Sequence, residues 1–412
     1  MKISDQAISK LNEEMKDTLS SMTPLTWLLQ IFALNCNSSQ CPFAKSFVTA
    51  IILGALMFYS LYYKINHIYD SVVLSIKLTD AVQMIYDYCQ YIVDLYFVYK
   101  YGRHIILVYC KHYETIDKIL GVTDCSVVKW KLSKLLVLLT LVWMTSSTCD
   151  FAAWVLGYGW IVPIVYSVSY VFLFIKILTI LNLIGHVMLI DVRLNIIGDM
   201  LKNCYFTAET SSELVIDCLS NRNWIYSCVC ILPSEPRPLH PQHHSDHQEV
   251  RSIIRCYLLL TEQVAFINSM YGFRVIFFSF ITGTEANIFQ ILLNTVRYAS
   301  GSQETPRKSG YFPVVSSLMR LFTCIAMLVS LVEYCERTYR QKKRIVNITD
   351  HLLVNKNPSE NLRLAITDLR NLVQERPITF NMANFFDINY SWLVSVASVV
   401  VTYTIILLQS VN

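Results

Sequence analysis

Seven stretches of this chain run for about 20 residues with little interruption by charge, at 46–63, 80–99, 135–155, 161–185, 273–294, 312–334 and 390–409. A helix of that length covers the ~30 Å hydrocarbon thickness of a bilayer. Backbone polar groups cannot be left unpaired in lipid, so runs of this length predict membrane-spanning helices. Hydrophobic residues make up 54% of the 412 positions and charged residues only 16%, with a mean hydropathy of +0.42. A soluble domain carries roughly 25% charged side chains, and this chain cannot cover its own surface with polar groups. The fold class read from the sequence is therefore all-α and polytopic, with lipid as the solvent.

Composition also excludes several functions. A net charge of +4 is small and scattered, and no dense basic run with interleaved aromatics is present, so nucleic acid is not a partner. Thirteen cysteines are an odd number spread through apolar runs and loops, which predicts mostly buried thiols rather than a disulfide framework. The first twenty residues are polar and include Asp5, Glu13, Glu14 and Asp17, so the first span is expected to act as the insertion signal.

Orientation follows from the basic residues, which are retained on the cytoplasmic side. With the N-terminus inside, the segments 1–45, 100–134, 186–272 and 335–389 hold 26 Lys and Arg, against 5 on the opposite side. The expected organisation is a cytoplasmic segment 1–45, four spans within 46–185, a cytoplasmic extension and His/Pro-rich linker at 186–272, two spans within 273–334, cytoplasmic anchor helices at 335–389, a last span at 390–409 and an outer terminus at 410–412. The apolar pieces near 20–34 and 105–110 are too short to cross and read as interfacial or cytoplasmic helices. After the fourth span, Met188, Leu189, Val192, Ile196, Ile197, Met200 and Leu201 keep an apolar face, so that helix is expected to leave the membrane without a break. The stretch 233–247, with four prolines among His240, His243, His244 and His247, reads as a linker, and its spacing matches no closed zinc site. No metal and no cofactor are expected.

Three intramembrane features carry functional information. Asp80, Gln83, Asp87, Gln90 and Asp94 fall on one face of the second span. Acids in a bilayer face protein or water, so this stripe is either the wall of a ligand pocket or a structural seam in which Asp87 alone needs a partner. Next, counting ~1.5 Å per residue from the outer ends places Asp94 and Lys176 at ~21–22 Å, and Glu285 and Arg320 at ~12–14 Å. Each pair is expected to meet if its helices are neighbours, as structural ion pairs. Finally, Ser391, Ser395, Ser398, Thr402 and Gln409 draw a polar stripe down the last span, with Ile405 and Ile406 filling its gap. Such a stripe suits a pore lining with a hydrophobic constriction, and equally suits close helix packing through small residues.

The C-terminal run Thr402-Tyr403-Thr404-Ile405-Ile406-Leu407-Leu408-Gln409 resembles the signature of insect gustatory receptors, in which Thr-Tyr precedes five apolar or nearly apolar residues, Gln and usually Phe. Ile378, Phe385, Phe386, Asp387 and Leu393 resemble that family's approach to its last helix; Ser410 stands where the family usually has Phe. The resemblance implies a tastant-gated, non-selective cation channel in the plasma membrane of chemosensory neurons, assembled as a homo- or heterotetramer with related receptors. It further implies Gln409, Ile405 and Ile406 as gate residues beside Thr402, Ser398 and Ser395. Tyr403 then packs between helices. Pocket candidates in the outer halves of the spans are Gln83, Tyr86, Asp87, Trp154, Trp160, Tyr166, Tyr170 and Ser316, suited to a sugar ring or an aromatic bitter compound.

Other classes fit less well. A G-protein-coupled receptor has its N-terminus outside, and the chain lacks Asp-Arg-Tyr after the third span and Asn-Pro-x-x-Tyr in the seventh. A secondary transporter would use the buried acids for coupling, but the halves show no internal repeat. An intramembrane enzyme needs a catalytic pair or metal ligands at helical spacing, and none is present.

Overall fold

The computed structural model describes residues 22–35, 43–67, 74–102, 104–122, 126–206, 246–279, 312–355 and 360–411. Within them run α1 (Thr23–Ile31), α2 (Phe43–His67), α3 (Leu74–Gly102), α4 (His104–Leu120), α5 (Ser126–Tyr158), α6 (Ile161–Phe206), α7 (Asp246–Ser279), α8 (Phe312–Asn355), α9 (Glu360–Glu375), the two-residue strands β1 (Asn381–Met382) and β2 (Phe386–Asp387), and α10 (Tyr390–Val411). By length and composition, four described helices can cross a membrane: α2, α5, α6 and α8. α3 is long enough at 29 residues but carries the Asp80, Asp87 and Asp94 stripe that lowers its hydropathy. The predicted fifth span coincides with the end of α7, and the rest of 273–294 lies outside the described residues.

α6 forms the axis of the bundle because its sequence is apolar on every side. Ile177, Leu178, Leu181, Ile184, Val187, Leu189, Ile190, Leu194 and Ile197 are all fully buried, the pattern of a helix enclosed by others rather than one facing lipid. It packs against α1, α2, α3, α4, α5, α7 and α8. Its 46 residues continue well past position 185 without a break, as the apolar face from Met188 to Leu201 requires. α9 is strongly amphipathic; Ala365, Ile366, Leu369 and Val373 are buried against α7 and α8.

α1 seats in a notch made by Gly185 of α6. A Cβ at that position would stand 2.7 Å from the terminal methyl of Met22. At its other end, Phe32 packs edge-on against Phe174, eleven residues or ~16 Å back along α6. α1 therefore lies lengthwise along the end of the fourth span rather than flat across its tip. Side chains bond carbonyls in α1 and just beyond it: Asn35 Nδ2 donates to Thr26 O at 3.1 Å, Lys45 Nζ to Gln30 O at 3.0 Å and Tyr91 Oη to Phe32 O at 3.0 Å. The chain then turns through Ala33 at φ 58°, with Leu34 N donating to Leu29 O and Ala33 N to Gln30 O. That arrangement favours glycine at the left-handed position. Ala33→Gly is expected to raise stability by about 1 kcal/mol, the approximate penalty of a Cβ in that region. A rise in the thermal midpoint of the purified protein checks it.

Candidate ligand pocket and last span

α3, α6 and α2 bring one group of the predicted pocket residues together. Lys176 Nζ lies 2.5 Å from Asp87 Oδ1, and Gln83 Nε2 donates to the same oxygen at 2.7 Å. The Lys176 ammonium also stands 5.7 Å from the centre of the Tyr86 ring. Lys64, wholly buried near the end of α2, sits 3.7 Å over the face of Tyr166, and Tyr166 stacks on Trp154 at 4.4 Å and 15°. The result is a column of Lys64, Tyr166 and Trp154 beside the Gln83–Asp87–Lys176 cluster.

A second group forms where α5, α6 and α8 meet. Asp150 Oδ2 accepts from Arg320 Nη2 at 2.5 Å and from the Tyr170 hydroxyl at 2.6 Å. The Arg320 guanidinium lies 5.1 Å from the Tyr170 ring centre, and Trp143 Nε1 donates to the Tyr170 carbonyl at 3.0 Å. Trp160 stands apart, 69% exposed at the α5–α6 turn. The side chain of Ser316 and that of Asp80 lie outside the described residues, as does the whole of Glu285.

One predicted ion pair is re-partnered, and the pairing of Arg320 with Glu285 falls on a residue outside the described ones. Lys176 pairs with Asp87 rather than Asp94, and Asp94 pairs with Arg274 of α7, Nε to Oδ1 at 2.6 Å. The depth count misplaced the start of the second helix. α3 begins at Leu74 rather than at residue 80, so Asp87 lies ~20 Å along it and is level with Lys176. Arg320 pairs with Asp150, a residue the sequence reading passed over. The available signal was an acid inside the apolar run 135–155, the same signal that singled out the second span. Lys64 was missed because it was placed just beyond the first span, in a loop. The described carboxylates of Asp87, Asp94 and Asp150 each face a cation, from Lys176, Arg274 and Arg320 respectively.

Below these clusters a polar chain continues along α6. Asn182 Nδ2 donates to the Tyr271 hydroxyl at 2.5 Å, and the Tyr109 hydroxyl meets His186 Nδ1 at 2.9 Å and the Tyr113 hydroxyl at 3.1 Å. Arg193, fully buried, makes two bonds to Asp117 at 2.8 and 2.7 Å, a third to Leu189 O at 2.9 Å, and lies 4.2 Å over Tyr113. Burial pushes the Tyr113 hydroxyl up to about 12, with Arg193 opposing, so the tyrosine stays a neutral hydrogen-bonding group. Two cavities of about 10 Å³ flank this chain, one lined by Gln90, Thr179, Tyr271 and Arg274, the other by Asn268, Gly272, Phe380 and Ile388. Each has the room of one water molecule.

α10 leans chiefly on α8. Trp392 is buried and Leu393 and Val396 half-buried against the bundle, whereas Ser395, Ser398, Thr402 and Ile405 are exposed. Ser395 and Thr402 donate back to the Ser391 and Ser398 carbonyls at 3.0 and 2.8 Å, which satisfies the hydroxyls inside the helix. The polar stripe thus faces away from the chain's own core, as do Val394, Val399 and Val401 of the same helix. Ile406 and Gln409 continue the helix, and their side chains, like that of Tyr403, lie outside the described residues.

The described helices thus ring a central one, α6, and the last helix rests chiefly on α8. The family model described as the 7tm chemosensory receptor matches residues 21–411. The chain belongs to this chemosensory receptor family. The receptor also shares its fold with the insect olfactory receptor OR5 from Machilis hrabei, solved in complex with eugenol, at a TM-score of 0.53 and 14% identity over 96% of this chain and 100% of that one. No curated protein matches it. A chemosensory receptor is not an enzyme, and the apolar helices make this one a multi-pass membrane protein.

Proposed function

We propose that this receptor is a compound-gated, non-selective cation channel of the taste class, in which α10 lines a pore shared by four subunits. The supporting observation is α10 itself. In a single chain its Ser395–Ser398–Thr402 stripe faces outward, and no element of the same chain covers it among the described residues. Polar groups on a lipid-facing helix gain nothing, whereas on a pore wall they meet water and ions. The gate residues are Ile405, Ile406 and Gln409, and Tyr403 packs between helices. The subunits are of this chain alone or include related receptors, and the setting is the plasma membrane of chemosensory neurons.

The ligand site is the Lys64–Tyr166–Trp154 column with Gln83, Tyr86 and Asp87, extended by Tyr170 and Ser316. The aromatic faces suit a planar ring, and the amide and carboxylate suit hydroxyls. A small molecule needs ~300 Å³ or more, so binding parts the stacked pair Trp154–Tyr166. Small aromatic volatiles form a second ligand reading, supported by the eugenol bound to the olfactory receptor of the same fold.

The test is whole-cell current from cells expressing this chain alone during application of sugars, bitter compounds and eugenol. A cation current evoked by a sugar or bitter compound upholds the taste reading; a response to eugenol alone replaces it with the odorant reading. Surface-expressed protein silent to the entire panel contradicts a self-sufficient taste channel. Trp154→Ala is expected to raise the half-maximal concentration of the active compound about tenfold, in line with loss of one aromatic contact worth ~1 kcal/mol or slightly more.

A further inference from the structure

Residues 376–389 join α9 to α10 and carry the β1–β2 hairpin, so whatever holds this hairpin also fixes where the last span begins. β1 pairs with β2 along one edge, with Asn381 opposite Asp387 and Met382 opposite Phe386. The turn between them places Ala383 at φ 48° and Asn384 at φ 65°, and Phe385 N donates to Met382 O at 3.0 Å. Ile378, Phe380, Met382 and Ile388 are buried beneath it.

The other edge of β1 meets α7, and there a side chain does the work of a neighbouring strand. Asn268 Nδ2 donates to Thr379 O at 2.9 Å while its Oδ1 accepts from Asn381 N at 3.1 Å. Those two backbone groups are the ones a third strand would pair. One helical turn further along α7, Gly272 lets the hairpin backbone press directly on the helix. A Cβ there would stand 2.7 Å from Ala383 N and 2.9 Å from Asn381 O, and both are main-chain atoms that cannot swing aside. α8 closes the clamp from the opposite side. The Tyr339 hydroxyl accepts from Phe380 N at 2.9 Å and lies 3.2 Å from both Phe380 O and Ile388 O, spanning the two strands. The Glu336 carboxylate then accepts from Tyr390 N at 3.2 Å, and Asn389 Oδ1 caps Trp392 N at 2.9 Å, at the first turn of α10.

We infer that Asn268 and Gly272 of α7 are positioning residues for the last span, acting through a hairpin that welds α7, α8 and the start of α10 into one unit. The consequence for gating rests on the channel reading above; the clamp itself does not. A shift of α7 relative to α8 cannot leave the start of α10 in place, because both helices hold the same short hairpin by its backbone. The sequence gives no sign of this, since an asparagine and a glycine one turn apart on a helix have no recognisable pattern.

The test measures backbone amide exchange in the purified full-length protein carrying Asn268→Leu, Asn268→Asp or Gly272→Ala. Asn268→Leu removes both bonds and Gly272→Ala displaces the hairpin. Each is expected to speed exchange at 376–393 about tenfold or more, in keeping with the loss of one or two hydrogen bonds, while α6 amides remain protected as evidence of an intact bundle. Asn268→Asp keeps the acceptor for Asn381 N–H and should fall between. The same variants are expected to change the ratio of current without added compound to maximal current, per receptor at the surface. Unchanged exchange at 390–393 overturns the inference. Faster exchange with an unchanged current ratio overturns its gating role and leaves the channel reading standing. A wild-type protein that carries no current counts against the channel reading alone, because exchange still judges the clamp.

Discussion

Arg274→Met is expected to destabilise the receptor by about 3–5 kcal/mol, the cost of stripping the partner from a buried charge. The Arg274 and Asp94 side chains are only 3% and 2% exposed, and Arg274 Nε stands 2.6 Å from Asp94 Oδ1. Removing the guanidinium leaves the Asp94 carboxylate facing the Thr179 hydroxyl at 3.3 Å, which is far too little to solvate a charge in an apolar bundle. Asp94→Asn in the same chain should recover much of the loss, since an amide needs no counter-charge. Thermal unfolding of the single and double variants in detergent, followed through tryptophan fluorescence, gives the cycle. A single variant as stable as the wild type would mean that the pair does not exist, or that water reaches it freely.

Arg193→Met should produce a comparable loss. Arg193 ties α6 to α4 through the two-pronged contact to Asp117, with a third bond to its own helix and the ring of Tyr113 behind it. A planar fork is needed for both carboxylate oxygens, so Arg193→Lys keeps the charge yet is expected to lose about 2 kcal/mol. The Asp117→Asn, Arg193→Met double variant should be less unstable than the sum of its parts, because neither buried charge is left alone. Strict additivity in thermal unfolding would show the two residues do not interact.

These two residues also show how far the sequence could be read. The seam Gln83, Asp87, Gln90 and Asp94 was legible, because four polar positions at helical spacing inside an apolar run must share a face, and all four are buried. The long unbroken α6 was legible for a similar reason. Which cation meets which acid was not. Pairing depends on where each helix starts and on which helices are neighbours, and a six-residue error in the start of α3 was enough to hand Lys176 to the wrong aspartate. Arg193 stood in a segment recognised as an amphipathic helix but was not among its apolar positions; it is wholly buried because Asp117 and Tyr113 of α4 lie against it. The short apolar piece near 20–34 was too brief to read as a span, and its seat beside Gly185 depends on a missing side chain rather than on any residue's character. The polar stripe of α10 was legible as a pattern and ambiguous in meaning. Exposure in the single chain is shared by the stripe and by Val394, Val399 and Val401, so the choice turns on which face of α10 meets water.

That stripe is where the account stands most directly open to test. Ser395, Ser398, Thr402 and Val399 are each replaced by cysteine in the full-length receptor, and the rate of modification by a charged, membrane-impermeant thiol reagent is measured on intact cells over the background of the native cysteines. The account predicts rapid modification at Ser395, Ser398 and Thr402 and slow modification at Val399, as a water-filled pore along one face of α10 requires. Equal rates at all four positions, or faster reaction at Val399 than along the stripe, would contradict it.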